Sequence, residues 1–535
     1  MAEADSGVSD AVGVARLAAA WALAALNEVR GYLYGAGATA FGRGARVWLG
    51  FHVPSISRAA LILGFEIVHA AMREDFRPEE FDPALERLWG SCRKEHPDFQ
   101  ARMLMRAART ANIPFLPLIE GARFWQFGWG RRSRVFFETA SNADGYLGGD
   151  WQRSKPIAKA LLRSLGMPTA DHVLVRQEDE LPAAAERIGF PCVVKPASSG
   201  GGRGVTTNLW NHAELAHAFH YAQTHGEGPV MVEAMVPGED HRLMVIGGEL
   251  VAVIKREATY VTGDALRTVS ELIAERNSVR SANLVRSRYL YPIKIDAVLR
   301  EHLESQGVSL DDVLPAGQRV TLRSNANRST GGLCTDVTPA VHPQVRAMAE
   351  QLAKIAGLFA VGVDYLTTDI SRPPAEVGGA IIEFNATPGL SACVAGGFDE
   401  IELAKRILGD GLGRIPVDLT VVYPGHQKEM LASLQGRELE VTAGWVCGEE
   451  LRVGGAVLTC QSDWPWAAVH AALRNRVLES LHIICTPQDI VSHGLPVDKL
   501  RRATVAAPDL PEGWKSILSR CARETSFHVD RVEDK

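Results

Sequence analysis

From Ser154 onward, short apolar runs alternate with amphipathic helical windows, and that alternation commits the chain to an α/β architecture. SKPIAKALLRSLG reads as a helix with Ser154 as N-cap, an apolar stripe of Ile157, Leu161, Leu162 and Leu165, and Gly166 as its stop. Strands are predicted at HVLVR (172–176), PCVVKP (191–196), PVMVEAM (229–235) and LVAVIKR (250–256), with helices at 179–188 and 211–224. Residues 343–358 read as a helix with Val345, Met348, Leu352 and Ile355 on one face, followed by strands at 361–367 and 380–385. After about residue 415 come the strand VDLTVVY, a hairpin-like CGEELRVGGAVLTC, helix WAAVHAALRNR, strand LHIIC, helix PQDIVSHG and strand ATVAA.

Ahead of residue 150 the pattern is weaker. The Ala-rich stretch from Ala11 to Leu26 contains Arg16, is too short to span a bilayer and has no basic leader, so it reads as an amphipathic helix. A Gly-rich patch (Gly35, Gly37, Gly42, Gly44, Gly50) separates it from a helical stretch between Pro78 and Asn112, where Leu85, Leu88, Trp89, Met103, Met105 and Ala108 mark a core face. A length of 535 residues suggests roughly three or four domains. The formal net charge of -6 argues against a chain that grips phosphate backbones by bulk charge, so no nucleic-acid partner is expected. The eight cysteines form no C-x-x-C pair, which fits reduced thiols in a cytoplasmic protein without zinc or membrane attachment.

Three motifs carry chemistry. In PCVVKPASSGGGRGV a buried strand delivers Lys195 into Gly200, Gly201, Gly202 and Gly204. Glycines let backbone N–H groups close around phosphate oxygens and the lysine adds a point charge, although a mobile turn is the bland alternative. Lys195 precedes the glycines and the loop runs on into the strand VTTN, so neither a Walker loop nor a dinucleotide fingerprint fits. In MVEAMVPGEDHR, Glu233 suits a ribose or adenine-side donor and Arg242 a terminal phosphate, while His241 reads as a packed or exposed loop residue. In AIIEFNATPGL, Glu383 and Asn385 lie two apart on a strand and share a face. Their oxygens are hard donors suited to Mg²⁺, and Asp364 completes the set ahead of Asp336 and Asp369. The alternative for Asn385 is a turn role before Pro388 and Gly389.

In this order the motifs resemble the ATP-grasp superfamily. DHRLMVIGGELVAVIKREATYVTGDALRTVSELI, LPAGQRVTLRSNANRSTGG, GVDYLTTDISRP and GGAIIEFNATPGLS resemble the ATP-grasp domain of cyanophycin synthetases, and FWQFGWGRRSRVFFETAS resembles the segment that joins this domain to the one before it. The resemblance implies an α/β chain with an α+β ATP-grasp fold at 151–412, a mixed N-terminal domain at 1–150 and a small α/β module at 413–535. It assigns the nucleotide phosphates to Lys159 and Lys195, and the glycine lid to Ser198 through Val205, with Ser199, Gly201, Gly202 and Gly204. Glu233 falls beside adenine and ribose, Arg242 opposite the transferred phosphate, and Arg256 at a further anion contact. Arg323, Asn325 and Asn327, with Gly331 and Gly332, line the acceptor carboxylate, and Asp364, Glu383 and Asn385 hold one or two Mg²⁺ ions.

The reaction implied is ATP-dependent ligation: a carboxylate becomes an acyl phosphate, and an amine displaces phosphate to leave an amide. Cyanophycin synthetases carry a second, Mur-ligase-like ATP site with a G-T-N-G-K-T loop. Here VDLTVVYPGHQKEML stands in that place, with Gln427, Lys428 and Glu429 where Gly-Lys-Thr is needed, and residues 413–535 therefore read as a truncated, non-catalytic module. The N-terminal 120 residues match the family poorly. The expectation is a single-site ligase acting on amino acids or short peptides, as a homo-oligomer. The alternatives are a true cyanophycin synthetase and a non-catalytic nucleotide-binding scaffold.

Overall fold

The strands between residues 172 and 385 form a four-stranded, a five-stranded and a two-stranded antiparallel sheet. The structure, a computed structural model, describes residues 2–29, 33, 35–73, 76–119, 122–198, 200, 202–282, 291–323, 326, 331–435, 441–462, 466–507 and 509–527. They divide into two compact units, Thr139–Ile407 and the pair of segments Met1–Glu138 and Leu408–Lys535. The expected segment 151–412 supplies most of the first unit, while the expected segments 1–150 and 413–535 supply most of the second.

In Thr139–Ile407, the smaller sheet runs in the order His172–Val175, Val230–Ala234, Cys192–Pro196, Thr206–Leu209. Helices Leu181–Ile188 and His212–Gln223 bury Leu181, Ala184, Leu215 and Phe219 against Val175, Val194 and Val232 of that sheet. The larger sheet has the order Leu333–Asp336, Glu249–Glu257, Glu239–Ile246, Ala360–Thr367, Ala380–Asn385. Its strands alternate, so Leu243, Val253, Val363 and Phe384 all enter one core, where Leu352 of helix Pro343–Ala356 meets them. The helix ends on Gly357 at φ 63°, a left-handed cap that glycine adopts without a Cβ clash. A subdomain built on strands Tyr260–Thr262 and Arg319–Thr321 buries Val261, Ile273, Leu299 and Val320.

Two helix faces differ from the sequence expectation. Ile355 is 44% exposed, because it lies at the edge of the stripe that Val345, Met348 and Leu352 define. On helix Lys155–Ser164, Ile157 is 52% exposed, while Lys159, four positions from Lys155 on the same face, is 1% exposed. Ser154 does occupy the N-cap position, but its side chain makes no cap hydrogen bond.

In the other unit a seven-stranded sheet orders Ala456–Thr459, Glu450–Val453, Ala443–Cys447, Ser480–Cys485, Val417–Val421, Leu500–Val505 and Ala522–Phe527. Its five strands from Ala443–Cys447 to Ala522–Phe527 pair in parallel. The hairpin-like segment 447–460 is the antiparallel pair Glu450–Val453 and Ala456–Thr459, and the strand before it, Ala443–Cys447, joins that pair to the parallel part. Helix Gln427–Gln435, which the periodicity did not predict, follows strand Val417–Val421. At the N-terminus the Ala-rich helix covers Ala2–Glu28, the Gly-rich patch is a hairpin of Ala36–Phe41 and Gly44–Leu49, and an unpredicted helix spans Pro54–Ala71. The stretch from Pro78 to Asn112 contains two main helices, Asp82–Glu95 and Phe99–Thr110, the second capped by Asp98. Among the described residues no helix is long and apolar enough to cross a membrane, and all eight cysteines are free thiols.

The core of the larger sheet makes a direct prediction. Leu352 is fully buried, so Leu352→Ala should cost about 2–5 kcal/mol. The loss is read as a lower denaturation midpoint in urea.

Candidate active site

Two clusters of charge stand in the Thr139–Ile407 unit. The first is built on adjacent strands. Met231 pairs with Lys195 across the smaller sheet, and Glu233, two residues on, lies diagonally opposite the lysine on the same face. Lys195 Nζ lies 2.9 Å from Glu233 Oε1 and Lys159 Nζ lies 3.0 Å from Glu233 Oε2. Lys159 also donates to Thr169 Oγ1 at 3.0 Å, and Thr169 donates onward to the Ile381 carbonyl at 2.8 Å. All three charged side chains are nearly inaccessible. Burial lowers Lys159 to about 8, against the opposing pull of Glu233. Burial alone raises Glu233, but the two ammonium groups overcome it and hold its carboxyl below the usual range. Two lysines against one carboxylate give the triad a formal excess of positive charge, which suits it to a polyphosphate.

The second cluster occupies the charged face of the larger sheet. Arg242 and Asp364 are direct cross-strand partners, as are Asp364 with Glu383 and Asp240 with Arg256. Arg242 grips Asp364 with two bonds, Nε at 2.5 Å and Nη2 at 3.2 Å. Arg256 Nη2 bridges Asp240 at 2.7 Å and Asp364 at 3.2 Å. The register shifts beside Asp364: Glu383 pairs with Asp364 and Ile381 with Tyr365, leaving Ile382 as the extra residue of a bulge. Asn385 Nδ2 lies 3.4 Å from Glu383 Oε1. Arg242 reaches across Gly362, where an added Cβ would meet Nη1 at 2.7 Å and Pro388 Cβ at 3.0 Å, so a side chain there would displace the guanidinium.

Asp364 is buried and Glu383 partly buried, and their carboxyl groups are in contact with each other. For Asp364, burial raises the pKa but Arg242 and Arg256 prevail and lower it; for Glu383, burial and then the Asp364 charge raise it. Such a pair needs a proton or a cation between its oxygens. With the Asn385 amide, the oxygen set fits Mg²⁺. Among the described residues no three His, Cys, Asp or Glu groups converge as metal ligands, so the set rests on two carboxylates and an amide.

Of the other expected residues, Gly202 and Gly204 adopt φ 74° and 70°, and a Cβ on Gly204 would meet His225 Cβ at 2.7 Å. Ser199, Gly201, Asn325 and Asn327 lie outside the described residues. Arg323 is buried and makes its contacts with Asp296 Oδ2 at 2.8 Å and the Lys294 carbonyl at 2.9 Å, neither in the two clusters. Asp336 and Asp369 serve turns, accepting from the backbone and hydroxyl of Thr338 and Ser371 respectively. Sequence reasoning missed Lys155, whose pKa burial lowers and which interacts with Glu383, Lys195 and Glu233, linking the two clusters. Its i,i+4 spacing from Lys159 was the available clue. It also missed Thr169 as the hydroxyl holding Lys159.

Replacing Glu233 with Gln removes the charge that opposes burial at Lys159. In Glu233→Gln, Lys159 should titrate well below about 8, followed by NMR of ¹³C-methylated lysines. An unchanged titration would contradict the triad.

Residues 160–246 match the ATP-grasp domain. The cyanophycin synthetase of Crocosphaera subtropica is 37% identical over 295 residues, covering 55% of this chain and 34% of the relative. That of Geminocystis herdmanii is 36% identical over 294 residues, with the same shares. The glutathione biosynthesis bifunctional protein of Streptococcus mutans is 30% identical over 244 residues, 44% of this chain and 32% of its own. The matched region spans about a third of the length of these curated relatives. The chain therefore contains an ATP-grasp domain, and its sequence is similar to that of the cyanophycin synthetases.

Proposed function

We propose that the protein is an ATP-dependent carboxylate–amine ligase that forms an amide through an acyl phosphate. The observation that carries this reading is the buried Lys159–Glu233–Lys195 triad beside an Asp364–Glu383–Asn385 oxygen set, with Lys155 interacting with both. Phosphoryl transfer asks little covalent help from a protein and much positioning and charge neutralisation. Lys159 and Lys195 hold the nucleotide phosphates, and Gly202 and Gly204 belong to the lid over them. Asp364, Glu383 and Asn385 would hold Mg²⁺, which when bound would supply positive charge to the phosphate oxygens. Arg242 and Arg256, fixed by carboxylates before substrate arrives, present positive charge where the transferred phosphate and acyl oxygen develop theirs. The acceptor carboxylate oxygen bonds to the γ-phosphorus as the bond to the β-bridging oxygen breaks and ADP leaves. The amine then bonds to the acyl carbon, inorganic phosphate departs, and the amine's extra proton passes to solvent.

Residues 413–535 serve as a non-catalytic module. Strand Val417–Val421 leads into helix Gln427–Gln435 as a phosphate loop does, but Gln427 Oε1 accepts from the Gly425 amide at 2.8 Å. An amide spent on a side chain of its own loop is withdrawn from phosphate, and Glu429 adds a negative charge to the first turn of the helix. One ligation site per chain supports a short amide product from amino acids or small peptides, made in the cytoplasm, rather than a polymer.

The test is ADP release across a panel of amino acids and short peptides, with mass spectrometry of the product. Glu383→Gln should lower turnover by about 10²–10³-fold, whereas Lys428→Ala should leave it within a factor of about two. Normal turnover in Glu383→Gln, or strong inactivation by Lys428→Ala, would contradict the reading. Insoluble material containing aspartate and arginine in equal amounts, grown from a β-aspartyl-arginine primer, would favour the polymerase.

A further inference from the structure

In the unit formed by Met1–Glu138 and Leu408–Lys535, a cavity of about 550 Å³ opens between helix Ala467–Arg474, strand Phe115–Pro117 and the start of helix Pro54–Ala71. Its volume is that of a small-molecule site. Pro54, Phe115, Leu116 and Leu118 give it apolar walls. Three nitrogen-bearing side chains, His52, His470 and Arg474, line it, and no acidic residue does.

Arg474 supplies the polar feature of the cavity. Its Nη2 donates to the Pro117 carbonyl at 3.0 Å, its Nε is buried with no acceptor, and no carboxylate ion-pairs with it among the described residues. Two other partly buried arginines of this unit do meet carboxylates: Arg123 holds Asp98 and Glu138, and Arg414 holds Asp498. Burial pulls the Arg474 pKa down with no neighbouring anion to offset it. A partly buried guanidinium without a counter-ion carries a desolvation cost, and an anion in the cavity would relieve it.

The charge of the ligand follows from the histidines. Burial, then His96 and Arg102, lower His52 to about 3; burial, then Arg474, lower His470 to about 4. Both rings are neutral at pH 7, so Arg474 alone supplies the formal charge of the cavity. One positive charge set in aromatic and aliphatic walls matches a monoanion with an apolar body.

We propose that this cavity is a binding site for a small carboxylate carrying an aryl or alkyl body, held by Arg474 at its carboxylate and by the phenylalanine and leucine walls along its length. The site stands independently of the ligase reading, since none of its residues belongs to the ATP-grasp clusters.

Isothermal titration of the full chain at pH 7 with 4-phenylbutyrate, 4-phenylbutan-1-ol and phenylphosphonate tests it. The acid should bind saturably and about tenfold or more tighter than the alcohol, the margin expected of a charge-assisted hydrogen bond. Arg474→Met should remove that margin and leave the alcohol within about twofold. Equal binding of acid and alcohol by the unaltered chain, or no saturable heat from the acid, would overturn the proposal, and this arm needs no variant to fold. An Arg474→Met chain that still favours the acid would overturn the role of Arg474. Tighter binding of phenylphosphonate would move the ligand to the phosphoryl class and overturn the carboxylate.

Discussion

Two ammonium groups lie buried in the ATP-grasp unit because Glu233 stands between them. Without that carboxylate, desolvation and mutual repulsion would disfavour both charged forms, and breaking one partner of a buried pair typically costs about 3–5 kcal/mol. The constraint reaches beyond the three residues. Lys195 and Glu233 come from neighbouring strands of one sheet, Lys159 from a helix, and Thr169 ties that helix to the Ile381 carbonyl on the other sheet. Meeting the electrostatic demand of Lys159 thus joins the helix to both sheets.

The larger sheet uses the same logic with opposite signs. Asp364 is a buried carboxylate made tolerable by Arg242 and Arg256, and Gly362, without a Cβ, leaves room for the Arg242 side chain. Cations and oxygen donors are set in place by their partners before any substrate binds, so little reorganisation remains for the moment of reaction. Such preorganisation is what a reaction built on charge neutralisation requires, and it ties the fold to the proposed chemistry.

Much of this was legible from the sequence, for identifiable reasons. The β-branched runs around Lys195, Glu233 and Asp364 bury apolar side chains at a spacing of two residues, so each strand appeared where it was expected. The Glu383–Asn385 spacing placed both residues on one face, as the structure has them. Helical periodicity failed at Lys159 because it counts lysine as polar and isoleucine as apolar, whereas here Ile157 faces out and Lys159 faces in. That inversion is a site overriding the packing rule. The bulge at Ile382 left no trace, since an extra residue in a strand changes pairing and not composition. The helix Pro54–Ala71 escaped notice behind the Gly-rich patch, and the assembly of chain segments from both ends into one unit depends on contacts too distant in sequence for any local pattern. The role of Glu233 as counter-ion to both lysines was equally invisible, because only tertiary structure brings Lys159 to it.

The central claim is that activation passes through an acyl phosphate, with the carboxylate oxygen bonded directly to phosphorus. Isotope transfer tests it. With the accepted acid labelled with ¹⁸O in its carboxylate, the inorganic phosphate released during ligation is analysed by mass spectrometry. The account predicts one ¹⁸O atom in phosphate for each amide formed. Phosphate free of the label while amide accumulates would contradict it.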